Sequence, residues 1–153
     1  MKSFRIIVYR LGGPEVLETL EEEVPEPGRG DARVRVFAAG VSLADLLMRE
    51  GVHPEKTILP FTPGWDVVGV VEKVGADALQ VKVGQMVAAL PIHGGYAQHI
   101  CLPQSELIPV PDGPGSNSAW TGCYRVPPRY SATGKRWKHC MRLQQKSRCV
   151  PSP

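Results

Sequence analysis

The 153-residue chain predicts a mainly β domain of α+β type, a small, partly open barrel with a single helix, followed by a basic tail. Three observations carry this. Five Val-rich segments are separated by glycine-proline turns, as in a compact all-β architecture. One segment, Leu43 to Arg49, has helical start and stop signals instead. The charge balance then breaks abruptly after Gly113: residues 1–113 carry every acidic side chain and net −5, whereas residues 114–153 carry eight bases and no acid. A single folded domain mixes its signs, so the break divides the chain into a folded unit, residues 1–112, and a tail, residues 113–153, read as disordered.

Taken in order, Phe4 to Tyr9 is a short β-branched run, and Leu11-Gly12-Gly13-Pro14-Glu15-Val16-Leu17 turns it into a second extended segment, a hairpin-like opening. Gly12-Gly13 reads as a turn and not as a phosphate loop, because no strand-turn-helix context with three spaced glycines follows. Glu21 to Gly30, acidic and then rich in proline and glycine, reads as a solvated loop. Asp31 to Gly40 alternates charge with valine, which predicts a strand with Arg33 and Arg35 on its wet face. In the helix after it, Ser42 is placed to cap, Asp45 sits three residues on at the positive N-terminal end, and Gly51 closes the other end.

Pro60 and Pro63 withdraw two N–H donors and fix the backbone, so regular structure is not expected before Gly64. Val67, Val68, Val70 and Val71 then form a buried strand. Gly69 inside it marks either a bulge or the close approach of another backbone. Gly84 turns the chain into a further apolar strand, Met86 to Leu90, and Gly94 to Pro103 reads as the next. His93 abuts two glycines and His99 alternates with apolar neighbours, so both are expected as surface or strand-face residues, not as metal ligands.

Pro60-Phe61-Thr62-Pro63-Gly64-Trp65-Asp66-Val67-Val68-Gly69-Val70-Val71-Glu72-Lys73-Val74-Gly75 resembles the P-x-x-P-G-x-D/E-x-x-G-x-V-x-x-V-G signature of the medium-chain dehydrogenase/reductase superfamily. Gly12 to Leu17, Ala39 to Asp45, Val81 to Val87 and Gly94 to His99 resemble further words of its quinone oxidoreductase branch, the zeta-crystallin-like enzymes. The resemblance runs from about Met1 to Asp112. It implies a GroES-like barrel of the alcohol dehydrogenase N-terminal type, NADPH as cofactor and a quinone or enone as acceptor, and it admits a homo-oligomer. It also implies Phe61 and Trp65 on the acceptor side, with Ser42 and Asp45 near the cofactor. The zinc-binding members carry Cys, His and Glu where this chain has Ser42, Trp65 and Asp66. An indole has no lone pair for a metal, which argues against zinc.

No glycine-rich strand-to-helix turn of the dinucleotide-binding kind is present, so the Rossmann half is read as absent and the chain as a catalytic-domain fragment, inactive alone and binding no cofactor by itself. The competing reading is a non-enzymatic binding module whose tail contacts nucleic acid or another polyanion, since Lys135-Arg136-Trp137-Lys138-His139 interleaves bases with an aromatic. A third is an unrelated, frame-altered end joined after Gly113. The cysteines, Cys101, Cys123, Cys140 and Cys149, form no Cys-x-x-Cys pair. No segment approaches the roughly 20 apolar residues of a membrane span, and the first residues lack the apolar run of a signal peptide, so a reducing, cytoplasmic setting is expected.

Overall fold

In the computed structural model, residues 1–110 are described. The expectations that fall on the basic tail, its disorder and its contact with a polyanion, lie outside the described residues. Seven strands and one α-helix come in the order β1 (Lys2–Val8), β2 (Leu17–Glu23), β3 (Asp31–Ala39), α1 (Leu43–Glu50), β4 (Val67–Val74), β5 (Met86–Ala89), β6 (His99–Pro103) and β7 (Ile108–Pro109). They make an antiparallel hairpin, β1-β2, and a five-stranded antiparallel sheet ordered β6-β3-β4-β5-β7. The sheet does not close. Single bridges from Arg5 to Ala97 and from Val8 to Phe61 lay the hairpin across its open side.

The period-two pattern of β3 does what it predicts on the inner face. Ala32, Val34 and Val36 point inward and meet Val67 and Val71 of β4, Val87 of β5 and Leu102 of β6 in the main core. Gly69 satisfies both expectations for it. The β3–β4 register shifts beside it, between Val36 and Ala38, and a Cβ at Gly69 would run into the carbonyl of Arg35. A second, smaller core under the hairpin joins Val8, Val16, Met48 and Phe61.

Two expectations are corrected. Glu21, Glu22 and Glu23 belong to β2, not to a loop: they pair with Phe4, Ser3 and Lys2, where Glu23 meets the Lys2 ammonium at 3.0 Å and Glu22 meets Arg5 at 3.1 Å. Lys2 directly opposite Glu23, and Arg5 diagonal to Glu22, offset the repulsion that the run of glutamates alone suggests. Arg33 is on the outer face but not in water. It is 9 % exposed, covered by the Pro25-Glu26 loop, with Nε donating to Glu72 at 3.1 Å and Nη1 to the Pro25 carbonyl at 3.1 Å. Arg35, one pair along, is exposed as expected.

His99 lies on β6 in this outer network, with Nδ1 2.9 Å from Ser3 Oγ and Nε2 3.6 Å from Glu72. Burial pushes its imidazole below the ordinary value; Glu72 opposes this and is outweighed, since Arg33 and Arg35 act in the same direction as burial. The fold thus favours neutral His99. Its contribution is fully present above pH 6.5 and is lost as the pH falls through the depressed value. Urea titrations from about pH 7.5 to about pH 5 are expected to show stability declining on acidification, with a shallower decline in His99→Gln; parallel profiles for the two proteins would count against this.

Candidate functional site

The sheet register builds the site. Ala39 of β3 pairs with Val67 of β4, and Val67 with Ala89 of β5, so the residues just after Ala39 and Ala89 and those just before Val67 gather at one end of the sheet. There Gly40 donates its N–H to the Asp66 carbonyl at 3.3 Å, and α1 begins immediately afterwards. The Asp66 carboxyl packs directly over Gly40, in the space that a Cβ there would take. Burial raises its carboxyl above the ordinary range; a hydrogen bond from the Gly40 backbone partly opposes this, and the neighbouring Asp45 charge adds to it. Leu43 and Leu90 stand exposed at this end of the sheet.

Ser42 and Asp45 form a reciprocal capping box at the start of α1. Ser42 Oγ donates to Asp45 Oδ2 at 2.9 Å and accepts from the Asp45 N–H at 3.3 Å. The Asp45 carboxylate, 4 % exposed, does more than close the box. Oδ2 also accepts from the Ser42 N–H at 2.8 Å and from the Tyr96 hydroxyl at 3.2 Å, while Oδ1 accepts from the Gly64 N–H at 2.8 Å. Four donors thus meet a carboxylate with about four acceptor positions.

Trp65 is half-buried. Its Nε1–H points at Met48 Sδ, 3.3 Å away on α1, and its ring stands 5.9 Å from that of His53. Phe61, 8 % exposed, sits in the second core, and its backbone exchanges hydrogen bonds with Val8 at 2.8 and 3.1 Å. The structure therefore brings Ser42, Asp45 and Trp65 together around α1 and sets Phe61 behind them. Sequence reasoning missed Met48 and Tyr96 as partners of this group. The available signal was a hydroxyl in the strand-like Gly94 to Pro103 segment, which burial obliges to find an acceptor.

Beside this group, a small crevice is lined by Leu17, Asp45, Leu46, Arg49, Pro63 and Tyr96. The Arg49 guanidinium at its edge is itself engaged, Nε with the Gly12 carbonyl and Nη2 with Glu50. Among the described residues no group of three or more His, Cys, Asp or Glu side chains is arranged to hold a metal ion, and no helix is long and apolar enough to cross a membrane.

An open antiparallel barrel, with one capped helix inserted at the end where β3, β4 and β5 converge, defines a GroES-like domain. The chain belongs to the alcohol dehydrogenase GroES-like domain family, whose pattern matches residues 28–112. It is 37 % identical over 107 residues to the quinone oxidoreductase of Pongo abelii, an alignment that takes in 69 % of this chain and 32 % of that protein. The crystal structure of the quinone oxidoreductase from Thermus thermophilus, also determined as its complex with NADPH, superposes with a TM-score of 0.61 at 38 % identity, over 76 % of this chain and 35 % of that one. The human synaptic vesicle membrane protein VAT-1 homolog-like protein superposes with a TM-score of 0.71 at 26 % identity, over 76 % of this chain and 38 % of that one. The chain therefore spans about a third of the length of the curated relatives it matches.

Proposed function

We propose that this chain supplies the acceptor-side domain, residues 1–112, of a zinc-independent, NADPH-dependent reductase of quinones or related enones, and that the 153-residue chain by itself does not turn such acceptors over. The observation that carries the zinc-independent part is the state of Trp65. Where zinc enzymes of the superfamily carry a histidine, the indole N–H of this chain is given to Met48 Sδ, and the Ser42 hydroxyl is spent on Asp45. Neither side chain is oriented as a ligand, and the third position, Asp66, is folded over Gly40. Elemental analysis after dialysis against a chelator is expected to find no stoichiometric zinc. One tightly held zinc per chain would overturn the assignment.

The described residues do not make a dinucleotide cradle. α1 is the single helix among them long enough to present free N–H groups to a pyrophosphate, and two N–H groups at its start, those of Ser42 and Asp45, are already taken by its own capping box. In this reading Trp65 presents its half-exposed ring to the acceptor with Phe61 supporting it from the core. Ser42 lies on the cofactor side with one lone pair to spare, and Asp45 lies behind it. The quinone oxidoreductase relatives extend to about three times the length of the stretch they share with this chain, and that supports the second half of the proposal.

The test is to mix the purified chain with NADPH and 1,2-naphthoquinone, follow cofactor absorbance, and measure cofactor binding separately by calorimetry. The expected result is a rate no higher than buffer and no saturable binding heat. Alignment of reactants alone can account for roughly 7 to 11 kcal/mol of a barrier, and one wall of a cleft cannot provide it. Saturable turnover abolished by Trp65→Ala would refute the proposal.

A further inference from the structure

We infer that Asp45 is the positioning residue of this site: its buried carboxylate clamps the Pro63-Gly64 turn and the Gly95-Tyr96 segment onto the start of α1, and thereby sets where the Trp65 ring stands. The three segments are remote in sequence, Gly64 lying 19 residues and Tyr96 51 residues from Asp45. They are also bound to one another. The Gly94 N–H donates to Thr62 O at 2.7 Å, the Gly95 N–H to Gly64 O at 3.1 Å and the Tyr96 N–H to Pro63 O at 2.8 Å, so residues 62–64 and 94–96 form a short irregular ladder. Asp45 meets both sides of that ladder, one oxygen on the Gly64 N–H and the other on the Tyr96 hydroxyl.

The consequence for Trp65 is geometric. Its backbone comes directly after Gly64, which Asp45 holds, and its indole nitrogen donates to Met48, three residues further along the same helix. α1 thus fixes the tryptophan at both ends. Charge-assisted hydrogen bonds are about twice as strong as neutral ones, which suits a carboxylate to this task. An amide would not serve. In Asp45→Asn either the NH2 group faces the Ser42 and Tyr96 donors, or, flipped, it faces the Gly64 N–H. The inference rests on the reading of this end of the sheet as the acceptor side. Its test uses neither quinone nor NADPH, so the clamp can fail while that reading stands, and the reverse.

The experiment is amide and indole hydrogen exchange by NMR on the full chain and on Asp45→Asn, Ser42→Ala and Tyr96→Phe, with Trp65 assigned through Trp65→Phe. In Asp45→Asn, protection of the Gly64 amide and the Trp65 indole N–H is expected to fall about tenfold or more, while amides of Val34 and Val71 in the main core change by less than about threefold. Ser42→Ala keeps the clamp and is expected to loosen the first turn of α1 alone. The inference is overturned if Gly64 and Trp65 keep their protection in Asp45→Asn, if every amide loses it equally, or if Ser42→Ala moves them as much. Should Asp45→Asn not fold, Tyr96→Phe decides. It removes one donor and is expected to shift the Gly64 amide resonance with the fold intact, and an unmoved Gly64 would overturn the clamp.

Discussion

Gly64→Ala is expected to destabilise the domain by at least about 3 kcal/mol. Two independent terms add. Gly64 has φ of 113°, a region that an alanine occupies only at a cost. A Cβ there would also stand 2.6 Å from Gly95 Cα and from the Tyr96 nitrogen, both backbone atoms with no room to yield. Relief would require residues 62–64 to part from residues 94–96, and that would pull the Gly64 N–H off Asp45. Urea unfolding detected by far-UV circular dichroism checks this; a loss below about 1 kcal/mol would mean that the two segments separate without consequence.

Phe61→Ala is expected to cost about 3 to 5 kcal/mol, and Phe61→Leu to return most of it. Phe61 packs with Val8, Val16 and Met48 in the core under the hairpin, and its backbone anchors β1. A ring that served chiefly to touch an acceptor would be exposed, and its removal would leave stability within about 0.5 kcal/mol. The same unfolding measurement separates the two cases, and near-neutral behaviour of the alanine variant would move Phe61 from the core to the acceptor surface.

Much of the fold was legible because its signals are local. The valine alternation of Asp31 to Ala39, the Ser42, Asp45 and Gly51 signals around α1 and the Gly84 turn each specify a conformation from a few neighbouring residues, and each is found where expected. Glu21 to Glu23 and Arg33 depart from their expected settings for one common reason. Their partners are remote in the chain: pairing with β1, helped by Lys2 and Arg5, draws the glutamates into a strand, and Glu72 helps hold the arginine out of water. The site was legible in part. Ser42, Asp45 and Trp65 stand out from their motifs, but nothing adjacent in sequence links Asp45 to Gly64 and Tyr96, or Trp65 to Met48.

The sequence by itself determined the period and punctuation of the strands and the place and capping of α1, since each depends on residue type and spacing alone. Only the tertiary structure decided what the residues of the site do. The pairing of β3 with β4 and with β6 carries three remote segments to one end of the sheet, and there the donors surrounding Asp45, brought from residues 42, 64 and 96, turn a helix-cap carboxylate into the junction of the site.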